Sequence, residues 1–124
     1  MAGTIAADTL THSTAGSLDT QYVVDGSAKV WSRCDQSSGL SLTSSLNVSS
    51  VTDSATGKWL NTFTSSMNDA LYSWNNGTYT VRISGVDEAV PPTTSSIQFE
   101  TRVANTAALN DIKYNCMSIR GDLA

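Results

Sequence analysis

Short runs in which apolar and polar residues alternate recur along the chain, and they constrain its fold more than any other feature. The clearest runs are residues 58–64 (KWLNTFT) and 95–103 (SSIQFETRV). A period of two places the apolar side chains on one face of a β-strand. Similar runs occupy residues 27–34, 40–51 and 111–120. About seven short strands separated by turn residues predict an all-β fold, an antiparallel β-sandwich.

Asn76-Gly77 is the strongest turn signal between these runs. Asn-Gly favours the two-residue turn that closes a β-hairpin, because both residues tolerate a positive φ. The pair therefore predicts a hairpin whose strands are residues 71–75 and 78–84.

Composition supports strands and excludes some classes of function. The 124 residues include 19 Ser and 16 Thr, and only 15% are charged. Thr favours strands, whereas Ser, Thr and Asn disfavour helix interiors. The net charge is -4 with no basic stripe, so we expect no binding to nucleic acid. No run of about 18 apolar residues occurs, so we expect no membrane insertion.

The sequence offers little for catalysis or for metal binding. His12 is the only histidine and lies in a weakly patterned Ser/Thr-rich segment, so we expect a surface histidine. Most carboxylates lie near predicted turns, where Asp stabilises the turn. The sequence does not decide whether two of them lie at the distance that a glycosidase requires. A metal site needs more ligands than Cys34, Cys116 and the single histidine provide. We therefore predict a non-enzymatic protein without a cofactor or a metal.

The two cysteines are predicted to be small buried residues. A disulfide between Cys34 and Cys116 stays open, because it requires Cα atoms within roughly 7 Å of each other.

Large aromatic residues are frequent for so short a chain. Alternation places Trp31, Trp59 and Phe63 inward, in the core. Residues 72–79 (YSWNNGTY) instead suggest a surface site, because rings stack on sugars while amides bond hydroxyl groups. The candidate residues for binding a host surface or a glycan are Tyr72, Trp74, Asn75, Asn76 and Tyr79. The same rings could lie in the core or in a subunit interface.

The first 24 residues lack strong periodicity and differ from the rest of the chain. We predict an extended N-terminal arm over residues 1–24 and a β-sandwich domain over residues 25–124. Ile5 and Leu10 are candidate anchors that attach this arm to a larger particle, although a disordered terminus is the alternative. The arm lacks the basic and apolar regions of a secretory signal, so we expect synthesis in a cytoplasm.

Two stretches resemble a known class of viral protein. They are residues 7–31 (ADTLTHSTAGSLDTQYVVDGSAKVW) and 45–67 (SLNVSSVTDSATGKWLNTFTSSM). Both are similar to short tail-fibre-like proteins of tailed bacteriophages, especially marine ones. The resemblance spans residues 7–67, whereas residues 72–84 and 86–94 depart from it.

The resemblance implies a structural protein of the virion. Such proteins are typically β-rich homotrimers whose N-terminal part attaches to the particle, and many bind a polysaccharide or protein of the host surface. No catalytic residue carries over, because the matching motifs are not catalytic. Two alternatives stay open: a capsid decoration or head-fibre protein, and a small carbohydrate-binding, lectin-like module or sugar-processing enzyme.

Overall fold

The computed structural model describes residues 3–124, and nearly all of its regular structure is β. The strands are β1 (Thr9–His12), β2 (Gly16–Asp19), β3 (Ala28–Asp35), β4 (Ser41–Leu46), β5 (Val48–Ala55), β6 (Lys58–Phe63), β7 (Ser73–Thr78), β8 (Arg82–Val86), β9 (Ser96–Val103) and β10 (Asn115–Arg120). The one helix of this region, α1, is Thr20–Gly26. No helix within residues 3–124 is long and apolar enough to cross a membrane.

Eight of the strands form two antiparallel sheets of four. Sheet I has the strand order β4-β3-β10-β7, and sheet II has the order β5-β6-β9-β8. Apolar side chains of both sheets are buried between them, which confirms the predicted all-β, sandwich-like fold. Trp59 and Phe99 lie at the centre, with their ring centroids 5.7 Å apart. Trp59 and Phe63 are therefore core residues, as predicted.

Trp31 is not a core residue, contrary to prediction. Its neighbours Val30 and Ser32 are buried and point inward, so alternation turns Trp31 to the outer face, where it is half-buried. Leu46 pairs with Trp31 across the strands and also points outward. A register shift at Arg33/Cys34 reverses the alternation within β4, because an extra residue moves every later side chain to the other face.

The predicted strand over residues 40–51 is two strands that lie in different sheets. Asn47 separates β4 from β5 and has a φ of 55°, a left-handed conformation that Asn tolerates better than most residues. Its side chain fixes this corner, since Nδ2 donates to the Ser65 carbonyl at 3.0 Å and Oδ1 accepts from the Ser65 amide at 2.7 Å. The motif NVSS (residues 47–50) therefore begins at the corner that joins the sheets.

The predicted hairpin at Asn76-Gly77 is wrong. Both residues lie inside β7, which pairs with β10 along its whole length and not with residues 78–84. β8 lies in sheet II, so the chain crosses between sheets after Thr78. The pairing offered by a distant strand outweighs the local turn preference of Asn-Gly.

The N-terminal segment folds into a hairpin and a helix, so the prediction of an extended arm is wrong in its conformation. β1 pairs with β2, and α1 follows directly. No residue of β1, β2 or α1 is buried. The elements of this N-terminal unit (residues 3–26) pack mainly on one another and make few contacts with the sandwich. A pocket of ≈ 510 Å³ lies between α1 and the end of sheet I.

Gly57 holds the β5–β6 turn against the segment before β10. Its φ is 68°, and a Cβ there would lie 2.6 Å from the Asn110 backbone nitrogen and 2.7 Å from the Thr101 carbonyl oxygen. Gly57 also accepts a hydrogen bond from the Thr101 amide. Only glycine combines this backbone conformation with so close an approach.

Gly57→Ala should lower the free energy of unfolding by about 2 kcal/mol or more, because left-handed strain and overpacking add. Urea unfolding followed by circular dichroism measures this change. Gly77→Ala is the matched control, because Gly77 has no positive φ and no atom within 4 Å of the position that an added methyl group would take. Equal stability of the two variants would contradict the prediction.

Candidate functional site

The outer face of sheet I, which points away from the core, carries aromatic and polar side chains. Alternation fixes which residues lie there: on β10, Asn115, Met117 and Ile119 point inward, so Cys116 and Ser118 point outward. Cys116 pairs with Arg33 on β3 and with Gly77 on β7. The outer face therefore brings together residues from three strands that are distant in sequence.

Tyr79 and Tyr114 form an aromatic pair at one end of this face. The Tyr79 amide donates to the Tyr114 carbonyl at 3.1 Å, which continues the pairing of β7 with β10. Their ring centroids are 5.0 Å apart and the rings are perpendicular. This edge-to-face arrangement is favourable for aromatic rings. Tyr79 is 69% exposed, so one ring of the pair is accessible.

A groove runs from this tyrosine pair along β7 and β10. Gly77 has no side chain, and nothing lies within 4 Å of the position that a Cβ would occupy. A pocket of ≈ 360 Å³ forms beside the tyrosines, and a second of ≈ 230 Å³ continues past Gly77 towards Asn75. We call this surface the tyrosine groove; it is lined by Arg33, Asn75, Gly77, Tyr79, Tyr114 and Cys116.

The five candidate residues of segment 72–79 do not share one face. Asn75 and Tyr79 lie on the outer face, whereas Trp74 and Asn76 pair with inward-facing residues of β10. Asn76 Nδ2 donates to Ser84 Oγ at 2.8 Å, which links β7 to sheet II. Trp74 remains 41% exposed at the edge of the sandwich. Strand alternation separates these residues, because no hairpin tip exists to gather them.

Tyr72 is a core residue, so its assignment to a surface site is wrong. Its side chain is 5% exposed, and its hydroxyl donates to the Thr93 carbonyl at 2.9 Å. Burial raises the pKa of Tyr72 to about 12. The ring packs edge-on against Phe63 and Trp74. Tyr72 therefore anchors the start of β7 and is not presented on the surface.

The sequence prediction missed Arg33 and Tyr114 as site residues. Alternation over residues 111–120 predicts Ile112, Tyr114 and Cys116 on one strand face. Tyr114 and Cys116 do line the same groove, whereas Ile112 precedes β10 and is buried. The signal that the sequence lacks is the pairing of β10 with β7 and β3, which brings Arg33 and Tyr79 to Tyr114.

The two cysteines lie on opposite faces of sheet I and are both free. Cys34 is buried, and burial raises the pKa of its thiol. Cys116 is exposed in the tyrosine groove, so its predicted burial is wrong. Side chains on opposite faces point apart and do not form a disulfide without backbone movement.

His12 is the exposed last residue of β1, next to the turn that leads to β2. Its Nδ1 accepts hydrogen bonds from the amides of Thr14 and Ala15 at 3.2 Å and 3.1 Å. Within residues 3–124, no group of three or more His, Cys, Asp and Glu side chains is placed to hold a metal ion. His12 is thus committed to the turn of its own hairpin.

One close pair of carboxylates occurs on the outer face of sheet II, around Lys58. Lys58 Nζ lies 2.6 Å from Asp87 Oδ2 and 3.6 Å from Glu100 Oε2. Asp87 is buried and also accepts from Gln98 Nε2 at 2.8 Å. Glu100 binds Arg102 through both of its oxygens, at 2.6 Å and 3.0 Å.

This arrangement favours an ion-pair network over a catalytic pair. A glycosidase needs one carboxyl group that stays protonated, which requires a raised pKa. The hydrogen bonds from Lys58 and Gln98 instead lower the pKa of Asp87, so this group stays ionised. The network ties β6 to β9 and to the loop after β8.

Comparisons of the chain with protein-family models, with curated proteins and with solved structures find no match. Of the two polar clusters, only the tyrosine groove combines an accessible ring with open space beside it.

Asp87→Asn should lower the melting temperature at pH 7 and leave it nearly unchanged in strong acid. Because the pKa of Asp87 is lower in the folded chain than its usual 3.8, its stabilisation is fully present above that value. It is lost as the pH falls through the folded pKa. Thermal unfolding between about pH 2 and pH 8 checks this, with the exposed neighbour Glu88→Gln as the matched control. A constant difference between the Asp87 variant and the unmodified chain would contradict it.

Proposed function

We propose that this chain is a non-enzymatic structural protein of a bacteriophage virion, a tail-fibre-like appendage subunit. It assembles as a homotrimer, attaches to the particle through its N-terminal unit and helps to bind the surface of the host cell. It is made in the cytoplasm of the host bacterium and works on the tail or the capsid surface. The similarity of residues 7–67 to such proteins supports the class of protein.

The tyrosine groove is the observation that carries the binding role. An exposed ring stands beside an open surface, and Asn75 and Ser118 add an amide and a hydroxyl along the same face. Sugars are held in this way, by stacking on a ring and by hydrogen bonds to polar groups. Tyr79 and Asn75 are therefore the candidate residues retained for this site, and Arg33 and Tyr114 join them.

The N-terminal unit carries the attachment role. Ile5 is 91% exposed, and Leu10, Leu18 and Tyr22 are also accessible. Apolar surface that a chain leaves uncovered marks a site for contact with another protein. Ile5 and Leu10 are the proposed contacts with other virion proteins. A capsid decoration or head-fibre protein would use such a unit in the same way.

The edges of the sandwich support assembly of several copies. β8 ends sheet II and carries Ile83, which is 59% exposed, and Val81 before it is more exposed still. An uncovered edge strand with apolar neighbours tends to pair with other chains unless something covers it. Closed cyclic assembly covers every such edge in the same way.

The lectin-like module is the second candidate function, because the tyrosine groove alone would suit it. It differs from the appendage in needing neither the trimer nor the apolar N-terminal unit. In the appendage, several weak sites on one particle act together, so each groove needs little affinity of its own.

Light scattering of the full chain at several concentrations should give about 39 kDa, three times the 13.1 kDa of one chain. Ile83→Asp should shift the mass towards that of one chain, because it places a charge in the proposed interface. Leu10→Asp, an equally apolar exposed position on the N-terminal unit, should leave the mass unchanged. A single-chain mass at all concentrations would overturn the homotrimer and favour a capsid decoration protein or the lectin-like module.

Tyr79→Ala should weaken binding to glycans on an array by roughly fivefold, because it removes the exposed stacking ring. Tyr22→Ala is the matched control: Tyr22 is also 69% exposed but lies on α1, far from the groove in the chain. Equal loss in both variants, or none in either, would argue against binding in the groove.

A further inference from the structure

Two cations beside the tyrosine groove have no hydrogen-bond or ion-pair partner among residues 3–124. The Arg33 guanidinium lies 4.2 Å from the centroid of the Tyr114 ring, and Lys113 Nζ lies 5.4 Å from it. Neither side chain forms a hydrogen bond or an ion pair within the described part of the chain. Lys58 and Arg102 on sheet II, by contrast, bind carboxylates.

The stacking contact fixes the Arg33 side chain and leaves its donors free. A guanidinium over an aromatic ring is held by cation–π attraction, which orients its plane but does not use its N–H groups. Arg has five such donors, arranged as a fork that matches a carboxylate. Arg33 therefore presents directed donors at the wall of the groove.

Asp35, also on β3, already accepts hydrogen bonds from a neighbouring residue. Its Oδ1 accepts from the Ser37 hydroxyl at 2.7 Å and from the Ser37 amide at 2.8 Å. These two hydrogen bonds, with smaller effects from Lys113 and Arg33, lower the pKa of Asp35. Arg33 and Lys113 thus place two cationic groups beside Tyr114 at this end of the groove, although the whole chain carries -4.

We infer that the tyrosine groove selects an acidic glycan, with the anionic group of a sugar accepting hydrogen bonds from Arg33 and the sugar ring stacking on Tyr79. The carboxylate of a uronic acid and a sulfate ester share this chemistry. The inference rests on the proposed function and names the class of its ligand. The small side of the groove at Gly77 and Cys116 leaves space for a second sugar of the same glycan. Asn75 lies further along the groove.

The experiment is an array that carries carboxylated, sulfated and neutral forms of the same oligosaccharides, together with peptides that end in a free carboxylate, probed with the full chain. The chain should retain anionic forms and not the matched neutral forms. Arg33→Met keeps a long apolar side chain over Tyr114 but removes the charge, and it should weaken retention about tenfold. Arg120→Met is the matched control, because Arg120 lies on the same strand as Cys116 but outside the groove.

A second variant acts without removing a charge. Gly77→Leu fills the open floor, where no atom lies within 4 Å, so it should block anionic glycans while the fold persists. Both variants are checked for the melting temperature of the unmodified chain. If Arg33→Met loses stability, the Gly77 variant still tests the site.

The outcomes separate this inference from the proposed function. Retention of neutral glycans alone, or unchanged retention by both Arg33→Met and Gly77→Leu, would overturn the anionic ligand and leave glycan binding standing. Retention of no glycan at all would overturn both. Retention of peptides that end in a free carboxylate, and of no acidic glycan, would show that Arg33 reads a protein instead.

Discussion

The central position of β10 is the constraint on which the rest of the structure depends. This strand pairs with β3 on one side and β7 on the other, so its two faces serve two purposes. Met117 and Ile119 point into the core, while Tyr114 and Cys116 line the tyrosine groove. Because alternation couples the faces, the register that buries Ile119 also sets Tyr114 beside Tyr79. Core packing thereby positions the proposed binding surface.

Polar side chains inside the sandwich help to set that register. Asn115 on β10 donates to Gln36 at 2.8 Å and accepts from Thr101 of the opposite sheet at 3.1 Å. Ser32 donates to Asn61, also between sheets, at 2.8 Å. Buried polar groups are costly without partners, so a slip of one residue would lose these bonds as well as apolar contacts. A chain rich in hydroxyl and amide residues thus gains specificity from groups that add little hydrophobic stabilisation.

The sequence predicted what local patterns determine and failed where distant pairing decides. Alternation predicted the bounds of β3, β6 and β9 to within one residue, because a strand with one buried face has a period of two. Asn47 looked like part of a strand and forms a corner, whereas Asn76-Gly77 looked like a turn and lies in a strand. The candidate site shows the same limit. Tyr79 and Asn75 are candidates from one segment of the sequence, but Arg33 and Tyr114 join them only through the order of strands in sheet I.

The charge distribution connects this local site to a multivalent role. An acidic surface repels acidic polysaccharide, and salt screens this repulsion beyond about 8 Å at physiological ionic strength. Near contact, attraction of an acidic sugar would require cations at the site, and Arg33 and Lys113 are the two cations that lie against Tyr114. Repulsion between the acidic chain and acidic polysaccharide would disfavour contacts outside the groove, and specificity would follow from this penalty. Several grooves on one proposed trimer would recover the affinity that a shallow single site lacks, since each further contact becomes intramolecular.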